Sequence, residues 1–252
     1  MSAPSDSLRE IYERRAEIEY PEPGNVSALT SNRKFERMIA LVAATLPAES
    51  LLDAGCGDGR FLAGIAQLPE RPARLVGTDI SARILETARR WAERDGFEVE
   101  VVQANMEQLP FADGSFDRVL SVQAIEHLLD PTAGLRELAR VLRPGGRLVL
   151  STDSSHNLVS RVLNAPRAAL VGVLGLRGRH LRVHFPHRDF GLDEIARMIE
   201  EAGLILEHRE TFAFHVDGLN HPRVSGLLAR VDRALSPHSL GDIVAVVAAK
   251  PS

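Results

Sequence analysis

Three groups of residues in this sequence have the types and spacing to do chemistry. In "LLDAGCGDGR", residues 51 to 60, Gly55, Gly57 and Gly59 follow an apolar run and are flanked by Asp53 and Asp58. Backbone that bare admits a ligand closely, because no Cβ intervenes and positive φ is allowed. A dinucleotide site wants G-x-G-x-x-G, with its pyrophosphate on a helix N-terminus. The spacing here is G-x-G-x-G, and acids beside the loop repel a pyrophosphate, so a ligand with a cationic head fits better. A second acid, Asp79, ends the apolar run of "LVGTDIS", residues 75 to 81. Third, "SVQAIEHLLD", residues 121 to 130, sets Glu126 beside His127, whose imidazole suits proton removal near neutral pH.

Other histidines lie close in sequence: His180, His184 and His187 are spaced H-x3-H-x2-H. Joint metal ligation at that spacing needs one regular helix, and Pro186 interrupts it, so no metal is expected. These histidines read as the rim of a site. They belong to a stretch of unusual composition. From Ser154 to Arg188 there is no acid, while Arg161, Arg167, Arg177, Arg179, Arg182 and Arg188 interleave with apolar runs. Such a segment suits either a lid helix packed on the domain or an interfacial segment on an anionic membrane surface, here over 157–182. Gly172 and Gly175 weaken a continuous helix there.

The elements that must position these groups follow from periodicity. Residues 6–18 and 33–46 have helical spacing of apolar positions, broken by "YPEPGN". From residue 50 short apolar runs alternate with amphipathic helices, the signature of βαβ units and a parallel sheet. Strands are expected at 50–54, 74–78, 98–103, 117–121, 147–151, 204–212 and 243–249, and helices at 59–67, 81–94, 131–142 and 192–202. Ser81 is a fitting N-cap, and "RPGG" at 143–146 closes a helix before the next strand.

With 252 residues, 44% of them hydrophobic, the chain has enough material for one good-sized core. A net charge of -4 gives no global field toward nucleic acid, so a small-molecule partner is favoured. The single cysteine, Cys56, excludes an intramolecular disulfide and any CxxC zinc site, and a reducing compartment is expected. The polar N-terminal stretch lacks the apolar core of a signal peptide, and no apolar run reaches the roughly 20 residues of a spanning helix. A cytoplasmic protein, with peripheral membrane contact at most, is the expectation. Only Lys34 and Lys250 are lysines among 30 basic residues, a bias we assign to genome composition.

The glycine stretch resembles motif I of the class I S-adenosylmethionine-dependent methyltransferases, and the resemblance continues in order. "LVGTDIS" resembles that family's second strand, "ANMEQLPFADGSFDRVLS" at 104–121 its adenine-contact turn and fourth strand, and "LRELARVLRPGGRLVLST" at 135–152 its fifth unit. The family then implies S-adenosylmethionine as cofactor. Gly55 and Gly57 would pass close to its methionine part, Asp53 would orient the loop and its ammonium, and Asp79 would accept the ribose hydroxyls. Ile80 and Val122 would line the site, Asn105 and Met106 would hold the adenine, and Arg33 would pair with the cofactor carboxylate. Many relatives have Asp where Asn105 stands.

The segment from Ser121 onward is similar to the O-methyltransferases of ubiquinone biosynthesis. That likeness implies His127 as general base, with Glu126 orienting it or serving instead. A further acid that helps those enzymes hold a divalent metal is here Gln123. No (N/D)PP(Y/F) motif of nucleic-acid amino-methyltransferases is present, and Cys56 lies in the cofactor loop, so nucleobase methylation is not expected.

The resulting expectation is an α/β, Rossmann-like seven-stranded methyltransferase sheet, parallel except for the last strand, in one domain over 1–252. An N-terminal helical cap would span 1–47, the cofactor-binding core 48–152, a lid insertion 153–190, and the C-terminal part of the sheet 191–252. The expected reaction moves a methyl group to an oxygen of a small, lipophilic acceptor, lipid-tailed molecules among the candidates. The alternatives are a nitrogen or carbon acceptor, or a non-catalytic S-adenosylmethionine-binding protein.

Overall fold

The structure, a computed structural model, describes residues 9–10, 29–155, 187–212 and 241–252. Its elements are α1 (Leu29–Ala43), β1 (Ser50–Ala54), α2 (Arg60–Ala66), β2 (Arg74–Asp79), α3 (Ala82–Asp95), β3 (Glu100–Gln103) and β4 (Phe116–Val122). A 3-10 turn (Ile125–His127), α4 (Pro131–Val141), β5 (Leu142–Asp153), α5 (Leu192–Glu201), β6 (Ile205–Phe212) and β7 (Ile243–Ala249) complete them. The seven strands form one sheet in the order β3-β2-β1-β4-β5-β7-β6. All neighbours are parallel except β7, which runs antiparallel to both β5 and β6. From β1 the chain builds outward to β3 and then returns to lay β4 on the other side of β1. The loops after β1 and β4 therefore diverge, and a crevice opens at the carboxyl ends of these strands.

Side chains that alternate along each strand split the core into two faces. Leu52, Val76, Leu148, Leu150, Val244 and Val246 pack with Leu135 and Leu138 of α4 and Ile195 and Ile199 of α5. Their neighbours Leu51, Leu75, Val149, Ala245 and Val247 pack on the opposite face with Met38 of α1, Phe61 and Ile65 of α2 and Leu85 of α3. Helix α1 is thus part of one face of the sandwich. Phe35 meets Phe61 at 5.4 Å between ring centroids, and Arg37 forms a two-bond ion pair with Glu210 of β6 at 2.6 and 2.7 Å.

Two element starts differ from the expectation by four residues or more. Helix α1 spans Leu29–Ala43 where the spacing suggested 33–46. Strand β5 begins at Leu142, five residues before 147, because Leu142 already pairs with Phe116 and a register shift absorbs "RPGG" before Arg147 pairs with Arg118. Apart from residues 9 and 10, the helix expected at 6–18 lies outside the described residues, as do most of the insertion at 153–190 and the membrane-contact stretch 157–182. Among the described residues no helix is long and apolar enough to cross a membrane.

Lys250 has a place that its rarity in the sequence did not reveal. Its Nζ donates to the carbonyl oxygens of Ala139, Arg140 and Leu142 at 2.8, 3.3 and 2.7 Å. These lie at the C-terminus of α4, where carbonyls have no intrahelical partner and the helix dipole favours a cation. A compact ammonium with three diverging donors fits such a cluster, and a planar guanidinium does not. We expect Lys250→Met to lower the unfolding free energy in urea by about 1–3 kcal/mol. Lys250→Arg should recover little of it. A Met variant as stable as the wild type would show that the cap contributes nothing.

Candidate active site

The loop that follows β1 owes its shape to its glycines. Gly55, Gly57 and Gly59 have φ of 78°, 54° and 80°, a region closed to most side chains. A Cβ on Gly55 would lie 2.5 Å from that of Ala124, whereas one on Gly57 would meet only Ile84 Cδ1, at 3.8 Å. Gly55 is therefore needed for packing against the β4 loop, and Gly57 presents open backbone. The amides of Gly55 and Cys56 both donate to the carbonyl of Thr78 at 2.8 Å, which pins the loop to the end of β2.

Asp79, at that same end, ties the neighbouring loops together. Its Oδ2 accepts from the Gly57 amide at 3.1 Å and its Oδ1 from the Ser81 amide at 3.0 Å. Ser81 in turn caps α3, its hydroxyl accepting from the Ile84 amide at 3.3 Å. The next loop is fixed to the same residue, with the Ala104 amide donating to the Asp79 carbonyl at 3.0 Å. Asn105 uses its Oδ1 on the amide of Glu107, at 3.0 Å, so its amide nitrogen is the group left for a ligand acceptor. Met106 is turned inward. It is 6% exposed, and its Cε would lie 3.2 Å from a Cβ on Gly55, so it forms the floor of the loop. Ile80 is half-buried, and Val122 is buried at the end of β4.

Asp53 is the unusual group. It is 1% exposed, and neither carboxylate oxygen has a hydrogen-bond partner among the described residues. Burial, reinforced by Asp79 and Asp58, pushes its pKa up to about 8. Asp58, by contrast, is held by the Arg60 guanidinium at 2.9 and 3.1 Å. A buried acid of this kind is stabilised in its charged form by a cation, and the ammonium of S-adenosylmethionine fits that requirement.

Beyond β4 the chain turns sharply. Gln123 has φ 53°, rare for a residue with a side chain, and its amide donates to the Ser151 carbonyl at 2.9 Å. That bend delivers the Ile125–His127 turn to the sheet edge. The likeness implied Glu126 as the group that orients His127 or replaces it as base. Glu126 is 1% exposed, its Oε2 accepts from the Thr152 hydroxyl at 3.0 Å, and burial followed by Asp153 pushes its pKa up to about 8. It braces β5 as a largely protonated acid at neutral pH. His127 is partly exposed, and its ring lies 5.4 Å from that of His187, centroid to centroid.

Arg33 lies in α1, and its side chain is outside the described residues. Its neighbour Lys34, which sequence reasoning passed over, faces the site. Burial lowers its pKa, and the charges of Asp153 and Glu126 oppose that shift. Asp153 is itself raised by burial, with Lys34 and His187 pulling it back. His187 Nε2 lies 3.1 Å from Asp189 Oδ1 and 3.4 Å from Asp153 Oδ2. His180 and His184, its partners in the sequence pattern, lie outside the described residues. The signal that would have found Lys34 is its helical spacing from Met38 and Leu41, the buried stripe of α1.

Comparison with known proteins agrees with this geometry. A family model described as a methyltransferase domain matches residues 52–150. The chain is 30% identical over 180 residues to the ubiquinone biosynthesis O-methyltransferase of Cereibacter sphaeroides (strain ATCC 17025 / ATH 2.4.3), covering 69% of this chain and 68% of that protein. It is 35% identical over 188 residues to the malonyl-[acyl-carrier protein] O-methyltransferase of Hahella chejuensis, covering 73% of this chain and 61% of that protein. Against other curated relatives it spans 32% to 64% of their length. The magnesium protoporphyrin IX methyltransferase of Synechocystis PCC 6803, solved with bound S-adenosylhomocysteine, shares the fold, with a TM-score of 0.63 at 16% identity over 97% of this chain and 99% of that one.

The raised Asp53 gives a test that needs no turnover. At pH 7 a group with a pKa of about 8 is mostly protonated, and an ammonium seated beside it displaces that proton. Calorimetric titration with S-adenosylhomocysteine at pH 7, in two buffers of different ionisation enthalpy, should therefore report release of close to one proton. Asp53→Asn should abolish the release. Stability of the ligand-free protein has the matching sign. The unfolded chain loses this proton near pH 4 and the folded one near pH 8, so the contribution of Asp53 falls as pH rises through that window.

Proposed function

The chain belongs to the S-adenosylmethionine-dependent methyltransferases, and on that premise we propose that it transfers a methyl group from S-adenosylmethionine to an oxygen of a small, lipophilic acceptor. The single observation that supports the cofactor side is the buried carboxylate of Asp53, which has no hydrogen-bond partner among the described residues and lies two residues before the glycine loop that Asp79 holds. The oxygen acceptor draws support from relatives named as O-methyltransferases, one of ubiquinone biosynthesis and one of a malonyl carrier protein. Its lipophilic character, and a peripheral contact with a membrane, draw support from the composition of 157–182, apolar runs interleaved with arginines and free of acids.

When bound, S-adenosylmethionine supplies an electrophilic methyl on a sulfonium sulfur. In-line displacement needs no protein nucleophile, so the chain's contribution is alignment and exclusion of water. Asp53 would hold the ammonium, Gly55 and Gly57 would bring backbone against the methionine part, and Asp79 would hold the ribose hydroxyls. Asn105 would offer its amide N–H to the adenine, a contact an Asp at this position would not make. Ile80 and Val122 would supply apolar walls, and Arg33 would pair with the cofactor carboxylate. His127, at the sheet edge beyond β4, takes the proton from the acceptor hydroxyl as the methyl arrives. Glu126 holds the turn that presents it.

The test has two stages. Calorimetry should give saturable S-adenosylmethionine binding that is lost or weakened at least tenfold in Asp79→Ala. A radiolabelled-methyl screen of phenols, quinols and amines should then pass label to a phenol or quinol. His127→Ala should retain cofactor affinity and lose about 10²–10⁴ in turnover. Label on amines alone would replace the oxygen acceptor by nitrogen, and no cofactor binding by the wild type would overturn the reading.

A further inference from the structure

Asp153, His187 and Asp189 come from two segments that the sequence separates by more than thirty residues. In the fold one ligand atom from each, two carboxylate oxygens and an imidazole nitrogen, lies within 4.8 Å of the others. The frame beneath them is tied in three places. The Phe190 amide donates to the Asp153 carbonyl at 3.0 Å, the Ser155 amide to the Phe190 carbonyl at 3.0 Å, and the Arg188 amide to the Glu126 carbonyl at 3.1 Å. The segment 187–190 is thereby bolted both to the end of β5 and to the turn that carries His127. We propose that Asp153, His187 and Asp189 form a divalent-cation site at the acceptor side of the sheet edge.

Spacing, charge and access support it. Around an ion with bonds of about 2.1 Å, neighbouring ligands stand about 3.0 Å apart in an octahedron and about 3.4 Å apart in a tetrahedron. His187 Nε2 already lies 3.1 Å from Asp189 Oδ1 and 3.4 Å from Asp153 Oδ2. Arg188, which sits between the two ligands in sequence, is diverted. Its guanidinium pairs with Glu194 and lies 5.0 Å from the centroid of the Phe190 ring. Lys34 opposes Asp153 from the buried side, which leaves Asp189 without that countercharge. The three side chains are 36% to 42% exposed, so a hydrated ion has access, and coordination positions beyond the three remain for water or an acceptor oxygen. A donor set of two carboxylates and one imidazole suits Mn²⁺, Fe²⁺ or Zn²⁺ better than Ca²⁺.

A cation here would act as a Lewis acid on an acceptor oxygen held near His127. That role rests on the O-methylation reading, whereas binding of the ion does not. The experiment therefore uses the full chain with MnCl₂ alone, without cofactor or acceptor. Calorimetry and the loss of free Mn²⁺ signal in electron paramagnetic resonance should both report one saturable site per chain. Asp189→Asn and His187→Gln, both at exposed positions and checked for folding by circular dichroism, should each weaken it at least tenfold. Absence of saturable binding by the wild type, or affinity unchanged in both folded variants, would overturn the site. If Mn²⁺ binds as described while no oxygen acceptor is methylated in its presence, the site stands and the O-methylation reading fails.

Discussion

Two backbone amides from different loops converge on one carboxylate, that of Asp79, and the cofactor side of the molecule depends on this convergence. The Gly57 amide belongs to the loop after β1 and the Ser81 amide to the cap of α3. Parallel strands set side by side bring these loops to one edge, and the carboxylate then fixes their relative position to within a hydrogen bond. The glycines follow as a requirement. A loop held by Thr78 and Asp79 on one side and packed against Ala124 on the other has no room for a Cβ at Gly55 and no ordinary backbone angle at any of its three glycines. Shape and charge are thus specified together, since the group that locks the loop is itself an acid.

The second organising feature is electrostatic. Three acids at the strand ends, Asp53, Glu126 and Asp153, all have raised pKa values through burial, and the one lysine of α1 faces two of them. Burying acids without full compensation is costly, and it persists where a bound cation offsets it. The sheet edge divides in this sense into two halves. On the β1 and β2 side stand Asp53, Asp58 and Asp79, whose mutual repulsion helps raise the Asp53 pKa. On the β5 side the charge is shared among Lys34, His187 and two aspartates within reach of His127.

Much of the architecture was legible in the sequence because each element carries its own pattern. The seven strands and the helices between them follow from alternating apolar runs and caps, such as Ser81 before α3 and Asp130, whose Oδ1 accepts from the amides of Thr132 and Ala133 at the start of α4. The glycine loop and Asp79 were legible because they adjoin strand ends. What escaped is whatever depends on tertiary pairing. The early start of β5 is set by Phe116 on another strand, the inward turn of Glu126 by Thr152, and the role of Lys250 by carbonyls more than a hundred residues away. Lys34 was passed over because its place beside Asp153 and Glu126 depends on how α1 is rotated against the sheet. The His187 cluster escaped for the same reason, since proximity in sequence suggested histidine partners where the fold supplies aspartates.

Strand β7 inserts between β5 and β6, so the last strand in sequence becomes an interior member of the sheet. In a chain made from the N-terminal end, β1 to β4 can pair and close the cofactor edge while β5 still has one open flank. That flank carries Asp153 at its end, and it is covered only when residues 243–249 arrive. The β5–β7 pairing thus joins residues about a hundred positions apart in sequence. Sequence-distant pairings of this kind are slow to form, which makes the β5 edge the surface at risk of pairing with a neighbouring chain during synthesis.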